Sequence, residues 1–599
     1  MDAPQRTGPA LTLEGVSKAF HPGGRTVQAL EGVSLSVRAG QVTGLIGPDG
    51  AGKSTLMRLC AALLRPDSGS LRVLGIEAPE RPLAVQSAIG YMPQRFGLYE
   101  DLSVQENLDL YTDLQGVPLP ERPGRYAELL RLVGLAPFTL RLAGRLSGGM
   151  KQKLGLACTL VRPPPLLLLD EPTVGVDPVS RRELWAIVYR LVRDQGMSVL
   201  LSTAYLDEAE RCDRVILLHQ GRLLGEGTPA SFSQPLEGRV FQVQVPGIPK
   251  RRLQTRLAGL PGVVDALIAG ERVRVVMHEA GPPDLSAIAG DGPPEVEPVA
   301  PRFEDAFVSR LGRGPGRSAA QAPELPPVPG ATDDGPVIRV QGAERAFGDF
   351  LAVKGVSFEV RRGEVFGLLG ANGAGKTTTF RMLCGLLPAS AGQLEVAGHD
   401  LRHAAAKARG RIGYMAQRFS LYVNLTVDQN LAFFASAYGL KGARRRERIG
   451  WAREGFDLAP YADMASGDLP LGYKQRLAMA AALMHEPDIL FLDEPTSGVD
   501  PLARREFWHR INQLAEQGVT VLVTTHFMEE ANYCDRLLIM ADGETLAQGT
   551  PAEMKARFRG PDRPDPTMED AFIGLIEARA QVSAQVGAQV TTRPPEAGP

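Results

Sequence analysis

Two hydrophobic patterns alternate along this chain. In 11–14, apolar and polar residues alternate, which predicts a strand with one exposed face. In contrast, 166–169 and 199–202 are almost entirely apolar, as in strands that are buried on both faces. A helical pattern near 179–194 separates these two strands, and a longer one at roughly 102–160 precedes them. Buried strands that alternate with helices predict an α/β fold with a parallel sheet covered on both faces.

The chain contains the same pattern twice. Chemically distinctive residues recur at a constant spacing of 323 positions, namely Lys53 and Lys376, Gln94 and Gln417, Asp170 and Asp493, and Asp177 and Asp500. Because this spacing is constant, neither copy carries a net insertion over that stretch, and the sequence predicts two copies of one fold. We predict that the first half occupies 9–236 and the second half 336–560.

The segment between the halves belongs to neither copy. Alternation in 240–245 and 272–275 predicts strands and 250–260 predicts a helix, so we interpret 237–312 as a small α+β accessory domain, the insert. A Pro-x-x-Glu-Asp-Ala-Phe segment ends the insert and recurs near the end of the chain. The other predicted segments are a Pro/Gly-rich linker at 313–335, a C-terminal helix at 561–580 and a disordered tail at 581–599.

Composition argues against several classes of protein. The 599 residues are 22% charged with a net charge of −2, so no overall positive charge attracts nucleic acid. No run reaches the ~18 apolar residues that a membrane helix needs, and the first ten residues contain no apolar signal segment. The five cysteines form no Cys-x-x-Cys pair, which argues against a zinc site and a disulfide framework. We therefore expect a soluble, cytosolic protein.

Each half contains a P-loop, the phosphate-binding pattern G-x-x-x-x-G-K-[ST]. Its glycines let backbone N–H groups point at phosphate oxygens, its lysine adds a positive charge, and its hydroxyl residue supplies a ligand for Mg²⁺. The sequence therefore predicts two bound ATP molecules with Mg²⁺. The predicted phosphate-binding residues are Gly47, Pro48, Asp49, Gly50, Ala51, Gly52, Lys53, Ser54 and Thr55, and Gly370, Ala371, Asn372, Gly373, Ala374, Gly375, Lys376, Thr377 and Thr378.

Two acidic residues follow a buried strand in each half, Asp170-Glu171 and Asp493-Glu494. The first acid would hold Mg²⁺ through water and the second would polarise the water that attacks the phosphate. Such a pair could instead cap the next helix. Its position, 117 residues after the P-loop lysine in both halves, favours the catalytic role.

The segment Leu146-Ser-Gly-Gly-Met-Lys-Gln152 resembles the signature sequence of ATP-binding cassette (ABC) ATPases. With the P-loops and the acidic pairs, this resemblance covers nearly all of both halves. It implies that each half has a RecA-like parallel-sheet core, an antiparallel β subdomain and an α-helical subdomain. In this family two cassettes pair head to tail, so each ATP lies between the P-loop of one and the signature of the other. The resemblance therefore implies intramolecular pairing here.

The resemblance also assigns individual roles. Gln94 and Gln417 match the Q-loops, Asp177 and Asp500 the D-loops, and His526 the switch histidine. Phe20 and Phe347 fall where an aromatic ring usually stacks on adenine, although either ring could instead be part of the core. The resulting predictions are the catalytic residues Glu494, His526, Glu171, Gln417 and Gln94; the metal ligands Ser54, Gln94, Asp170, Thr377, Gln417 and Asp493; and the ATP-contacting signature residues Ser147, Gly148 and Gly149.

Two departures from the family pattern fall on one predicted site. In the second signature, Pro470 replaces the serine and Leu471 a glycine, and proline offers a phosphate neither a hydroxyl nor an N–H. In the first half, Ala204 stands where the second half has His526. Head-to-tail pairing puts both changes at site 1, built on Lys53, whereas site 2, built on Lys376, keeps His526 and the intact first signature. We expect steady hydrolysis at site 2 and a degenerate site 1.

The closest resemblance is to fused double-cassette ATP-binding subunits of bacterial multidrug-type (ABC-2) exporters. It implies two separately encoded permease subunits and a position on the cytoplasmic face of the inner membrane. The aromatic segments 95–99 and 418–422, beside the Q-loops, would receive the permeases, although core packing would also explain them. The alternative is an ABC-F-type translation factor acting on the ribosome, which would need a long charged helical arm where the strand-bearing insert and proline-rich linker stand.

Overall fold

The computed structural model describes residues 8–21, 26–94, 97–311, 335–417, 420–561 and 563–591. The predicted linker, apart from Gly335, lies outside the described residues, and so does 592–599 of the predicted tail. The first two residues of each predicted permease-facing segment, Arg95 and Phe96, and Arg418 and Phe419, also lie outside them.

The first half consists of strands and helices in the predicted alternation. Its strands are β1 (Pro9–Phe20), β2 (Val27–Arg38), β3 (Val42–Ile46), β4 (Ser68–Val73), β5 (Ile76–Glu77), β6 (Ile89–Met92), β7 (Leu166–Asp170), β8 (Ser198–Thr203), β9 (Arg214–His219) and β10 (Arg222–Gly227). Its helices are α1 (Lys53–Cys60), α2 (Pro82–Ala88), α3 (Val104–Leu114), α4 (Arg122–Val133), α5 (Gly148–Thr159), α6 (Pro178–Gln195), α7 (Leu206–Ala209) and α8 (Pro229–Ser233).

These strands form two sheets. An antiparallel sheet has the order β2-β1-β4-β5, and the core sheet has the order β10-β9-β3-β8-β7-β6, in which only β10 is antiparallel to its neighbour. Every residue of β7 is buried. Leu167 and Leu169 pack into one hydrophobic cluster and Leu166 and Leu168 into another, because successive side chains of a strand point to opposite faces. The predicted doubly covered sheet is confirmed.

Helices α3, α4 and α5 form the predicted helical subdomain. Ser103 and Glu106 make a capping box that starts α3. In the next turn, the buried Asn107 accepts a hydrogen bond from Tyr99 N at 3.0 Å and donates to Tyr99 O at 3.1 Å. These bonds fasten the segment after Gln94 to the helical subdomain.

The insert has its own small sheet and core. Its elements are β11 (Val240–Gln244), α9 (Lys250–Ala258), β12 (Val263–Ala269), β13 (Arg272–Met277), β14 (Glu295–Pro298) and α10 (Phe303–Leu311), and the sheet is antiparallel in the order β12-β13-β11-β14. Val243, Leu253, Leu257 and Val275 belong to a hydrophobic cluster that joins α9 to the sheet. The strands and helix predicted for this segment are therefore present.

The second half repeats the first. Its strands are β15 (Pro336–Phe347), β16 (Phe350–Arg361), β17 (Val365–Gly370), β18 (Ala391–Val396), β19 (His399–Asp400), β20 (Ile412–Met415), β21 (Ile489–Asp493), β22 (Thr520–Thr525), β23 (Arg536–Ala541) and β24 (Glu544–Gly549). Its helices are α11 (Lys376–Leu383), α12 (Leu401–Arg409), α13 (Val427–Ala437), α14 (Gly442–Gly455), α15 (Leu471–Ala482), α16 (Pro501–Glu516), α17 (Pro551–Ala556) and α18 (Met568–Thr591). The sheet orders, β16-β15-β18-β19 and β20-β21-β22-β17-β23-β24, match those of the first half.

The C-terminal helix differs from the prediction in its bounds. Helix α18 begins at Met568 and continues to Thr591, past the predicted end at 580 and into the predicted tail. The Ala-Gln-Val repeat in this part consists largely of residues with little cost in a helix. The disordered tail was predicted from composition alone, which takes no account of helix propensity.

The two halves pack against each other reciprocally. Val179, in the first turn of α6, packs against the hydrophobic core of the second half, and Leu502, its counterpart in α16, packs against the core of the first. Asn372 Nδ2 of the second P-loop donates to Gly175 O of the first half at 3.0 Å. The structure therefore brings the first D-loop region and the second P-loop together.

Candidate nucleotide-binding sites

Both P-loops join a buried core strand to a helix, β3 to α1 and β17 to α11. Gly52 and Gly375 precede these helices with φ angles of 101° and 96°, which L-residues with side chains rarely adopt. A Cβ at Gly52 would lie 2.4 Å from Ala29 O, and one at Gly375 would lie 2.7 Å from Ala352 O. Conformation and space therefore both require glycine at this position of each loop.

The P-loop lysines fold back over their own loops. Lys53 Nζ donates to Gly47 O at 2.8 Å, and Lys376 Nζ donates to Gly370 O at 2.7 Å. The same ammonium groups lie 3.7 Å from a carboxylate oxygen of Glu171 and 3.9 Å from one of Glu494. Each loop thus presents one buried cation beside one carboxylate.

The residues present fit a bound nucleotide. Helices α1 and α11 begin at glycines that provide no side-chain cap, so their first N–H groups are available to an anion. The buried His526 Nε2 has no hydrogen-bond partner in the described part of the chain, which suits a phosphate oxygen that completes site 2. A loop of free N–H groups, a lysine and an unpartnered imidazole form the donor set that a triphosphate needs.

The predicted metal ligands gather near each loop. Ser54 Oγ lies 3.3 Å from Asp170 Oδ1, and Ser202 Oγ donates to the same oxygen at 2.6 Å. In the second half, Thr524 Oγ1 donates to Asp493 Oδ1 at 2.7 Å, and Thr377 occupies the position of Ser54 at the start of α11. A hydroxyl and a carboxylate together suit Mg²⁺, which prefers oxygen ligands and retains several waters. Bound Mg²⁺ would neutralise part of the phosphate charge.

The Q-loop glutamines contact the acidic pairs directly. Gln94 Nε2 donates to Glu171 Oε2 at 2.5 Å, and Gln417 Nε2 donates to Glu494 Oε2 at 2.8 Å. Their side chains therefore orient the carboxylates predicted to polarise water. Ser202 and Thr524, which support the first acid of each pair, were missed in the sequence. Their equivalent positions at the ends of β8 and β22 were the available signal.

The two glutamates predicted to be catalytic have the same backbone and different surroundings. Glu171 and Glu494 have φ angles of 51° and 46°, a costly conformation for a residue with a side chain, and strain of this kind is frequent at active sites. His526 Nδ1 lies 3.2 Å from Glu494 Oε2, without the alignment of a hydrogen bond. The first half has Ala204 at that position, so Glu171 lacks an imidazole neighbour.

This difference changes the acidity of the two carboxyl groups. Burial raises the pKa of Glu171, Lys53 lowers it and Asp170 raises it, so that its pKa is above the usual value. Burial would also raise the pKa of Glu494, but His526, Lys376 and Gln417 outweigh it and hold that pKa below the usual value. Glu494 is therefore the more readily ionised of the two.

The first signature lies next to the second P-loop. Ser147 caps α5 by accepting a hydrogen bond from Met150 N, and a Cβ at Gly148 would lie 3.6 Å from Asn372 Nδ2. The second signature keeps its helix, α15, although Pro470 at its start provides no side-chain cap. The structure therefore brings Ser147 and Gly148 to site 2.

The two aromatic candidates for adenine stacking are accessible. The exposed fractions of Phe20 and Phe347 are 37% and 48%, so neither ring is part of the core. Lys18 Nζ lies 5.9 Å from the Phe20 ring, and the guanidinium of Arg345 lies 4.8 Å from the Phe347 ring. Adenine stacking by these rings stays a prediction.

The ABC transporter family profile matches residues 30–174 and 353–497, one P-loop and one acidic strand in each half. The "Probable multidrug ABC transporter ATP-binding protein YbhF" of Escherichia coli (strain K12) is 53% identical over 568 residues, which cover 94% of this chain and 97% of that protein. The chain belongs to the ABC transporter family of ATP-binding proteins. It is therefore an ATPase with two cassettes.

Two further relatives each match about two fifths of this chain. The "Linearmycin resistance ATP-binding protein LnrL" of Bacillus subtilis (strain 168) is 38% identical over 251 residues, 41% of this chain and 81% of that protein. The "Nod factor export ATP-binding protein I" of Ralstonia nicotianae is 43% identical over 232 residues, 39% of this chain and 72% of that protein. A solved "ATP binding subunit of ABC transporter" is 31% identical, with 38% of this chain and 92% of that chain covered and a TM-score of 0.35.

Among the described residues, no helix has both the length and the apolar character that crossing a membrane requires. Within the same residues there is no cluster of three or more histidine, cysteine or acidic side chains that could bind a metal. The magnesium sites expected here would instead combine one hydroxyl, one carboxylate and phosphate oxygens.

Proposed function

We propose that this chain is the ATP-hydrolysing subunit of an exporter and acts on two separately encoded ABC-2 permease subunits from the cytoplasmic face of the inner membrane. Closure of the two halves around ATP would drive the permeases between inward and outward states. The relatives support this proposal, since the names of three of them refer to multidrug transport, linearmycin resistance and Nod factor export. Small-molecule or lipid-like efflux is the activity that these names favour.

The observation that carries the proposal is an exposed apolar surface beside each Q-loop. Tyr99 is 59% exposed in the first half, and Tyr422 and Val423 are 49% and 60% exposed in the second. Both segments are fastened by an asparagine of the adjacent helix, Asn107 in α3 and Asn430 in α13. An apolar surface on a rigid support, a short distance along the chain from the Q-loop glutamine, suits a partner that senses closure.

We further propose that the two ATP sites differ in their rates of hydrolysis. Site 2 combines Lys376, Glu494 and His526 with the intact signature of Ser147, and it would carry out steady hydrolysis. Site 1 combines Lys53 and Glu171 with Ala204 and the Pro470 signature, and it would bind ATP with little turnover. The position of His526 supports this assignment, because its Nδ1 lies 3.2 Å from Glu494 Oε2 and the first half has Ala204 at the equivalent position.

Co-purification tests the exporter proposal against translation-factor activity. The tagged chain would be isolated from detergent-solubilised membranes, and polysome fractions of the same cells would be probed in parallel. We expect two polytopic membrane proteins to copurify with the chain in stoichiometric amounts. Sedimentation with ribosomes, without any membrane partner, would refute the proposal and favour the ABC-F alternative.

A further inference from the structure

The last helix of the insert, α10, and the C-terminal helix, α18, contain the same sequence near their starts, Glu-Asp-Ala-Phe, at 304–307 and 569–572, and each packs on the half that precedes it along the chain. Phe307 and Phe572 are almost fully buried, each in the hydrophobic core of its own half. The aspartates also bond within their own half, since Asp305 accepts from Arg302 N at 2.7 Å and Asp570 from Thr567 N at 3.0 Å. The aspartate and the phenylalanine of each segment thus have a local role.

The glutamates instead reach the opposite half. Glu304 Oε1 lies 2.6 Å from Arg505 Nη2, and Glu569 Oε2 accepts a hydrogen bond from Arg181 Nη2 at 3.0 Å. Arg505 also pairs with Asp265 of the insert. Each glutamate therefore lies in a helix that packs on one half and pairs with an arginine of the other half.

The two arginines lie close to the contact between the halves. Arg181 and Arg505 lie near the starts of α6 and α16, four and five residues after the D-loop residues Asp177 and Asp500. The D-loops lie at the contact between the halves, where Gly175 O accepts a hydrogen bond from the second P-loop. A change in how these helices are held would therefore move the parts that line both ATP sites.

Aromatic contacts extend this connection to the switch histidine. Arg504, next to Arg505, lies 4.3 Å from the ring of Phe527 and 5.5 Å from the ring of Tyr205, which belongs to the other half. The Tyr205 and Phe527 rings are 5.3 Å apart, and Phe527 directly follows His526. Arg504 thus contacts Phe527, the residue next to the histidine of site 2.

Burial makes these pairs sensitive to separation of the halves. The side chains of Glu304 and Arg505 are 24% and 12% exposed, and those of Glu569 and Arg181 are 20% and 12% exposed. At such sites the loss of one partner leaves a charge with incomplete solvation, which costs more than the loss of an exposed pair. Separation of the halves would break both pairs together.

We propose that Glu304 and Glu569 are positioning residues that latch the closed arrangement of the halves, each by pairing with the arginine that follows the other half's D-loop. The latch holds the two ATP sites assembled and does not itself contact ATP. This inference rests on the proposed closure of the halves around ATP and explains why the Glu-Asp-Ala-Phe segment occurs twice.

The test measures the ATP dependence of hydrolysis in the full-length chain carrying Glu304→Gln, Glu569→Gln or both. The apparent affinity for ATP falls when the closed form is less populated, whereas turnover of the closed form is unaltered. We therefore expect KM for ATP to rise about tenfold in the double variant, an effect between those of losing an exposed and a buried ion pair, with kcat unchanged. A fall in kcat at unchanged KM would indicate a merely structural role and would overturn the proposal.

The matched control is Glu577→Gln, which removes the same charge from the same helix. Glu577 lies 4.0 Å from Arg182 of the other half, but the two side chains are 66% and 58% exposed. An exposed pair contributes little, so KM should not change. An equal rise in KM for this control would refute the latch, because it would show a general charge effect.

Fluorescence transfer measures closure directly. The five native cysteines are buried, so labels can be placed on cysteines introduced at the exposed Leu140 and Leu386 in a Glu494→Gln background. We expect the ATP concentration for half-maximal closure to rise in the latch variants. An unshifted curve would refute the latch, whereas a chain with native Glu304 and Glu569 that does not close with ATP would refute the proposed function itself.

Discussion

At the residue scale, the surroundings of the two predicted catalytic glutamates differ by one imidazole. Glu171 and Glu494 share a strained backbone, a lysine and a glutamine, but only Glu494 has a histidine neighbour. We expect Glu494→Gln to reduce ATPase activity by about 10²–10⁴, the usual contribution of a general base. Glu171→Gln should reduce it by less than about twofold, because we propose that site 1 contributes little turnover. Steady-state hydrolysis by the two variants checks this, and equal losses would contradict the assignment.

A second prediction at this scale concerns His485 at the end of the helical subdomain. Its ring stacks on Tyr438 at 3.8 Å and its Nε2 lies 3.0 Å from Ile412 O. Burial lowers the pKa of His485, the hydrogen bond to Ile412 O raises it by less, and the nearby Arg448 lowers it, so that the pKa of this ring is about 4. The folded protein thus binds fewer protons than the unfolded chain between pH ~6.5 and ~4.

Stability should therefore fall as the pH falls through that window. The upper limit of this effect is about 3 kcal/mol, from 1.36 kcal/mol per pKa unit. Denaturant unfolding at pH 7 and pH 4.5 measures it. His485→Asn, which keeps an N–H donor, should flatten the pH dependence of the unfolding free energy, and an unchanged slope would show that His485 is not its source.

At the scale of elements, the second signature helix shows how a fold survives the loss of a binding motif. Proline is compatible with the start of a helix, so α15 forms with Pro470 at its N-terminus and no side-chain cap. The combination Pro470→Ser, Leu471→Gly and Ala204→His would restore both missing parts of site 1. In a Glu494→Gln background we expect it to raise the residual ATPase activity several-fold.

The restoration should require both parts. Pro470→Ser with Leu471→Gly alone restores the signature but leaves Glu171 without a histidine, so we expect a smaller gain from that variant. Ala204→His alone is the complementary control. If the triple variant hydrolyses ATP no faster than its Glu494→Gln parent, the two departures do not explain the inactivity of site 1.

Local pattern predicted most of the elements and little of their assembly. The leucines of 166–169 identified a strand buried on both faces, and the structure divides them between two clusters. The P-loops were equally clear, because glycine spacing and a helix N-terminus are local properties. The extension of α18 to Thr591 was not predicted, because the repetitive sequence was taken as a sign of disorder and the helix propensity of its residues was not considered. The pairs between Glu304 and Arg505 and between Glu569 and Arg181 join distant positions, which no local pattern reveals.

At the scale of the whole molecule, the insert makes the assembly asymmetric. It follows the first half along the chain, yet Arg251 in α9 pairs with Asp535 of the second half, and Asn512 in α16 donates to Gln254 at 3.0 Å. Asp535 also accepts a hydrogen bond from Val365 N at the start of β17, the strand that leads to the second P-loop. The insert therefore supports the half that contains Lys376 and His526.

The proposed permease surface is a prediction for the complete transporter. Tyr99 and Tyr422 are exposed at equivalent positions in the two halves, so Tyr99→Glu with Tyr422→Glu would put a charge into each contact without removing a buried side chain. We expect this variant to lose co-purification with the membrane subunits and to keep the ATPase activity of the isolated chain. The control is Leu224→Glu in β10, which lies at the opposite edge of the core sheet from β6, the strand that leads to Gln94. Because that edge is far from the Q-loop, the control should keep its partners, and loss of partners by both variants would mean that the surface beside the Q-loops is not the docking site.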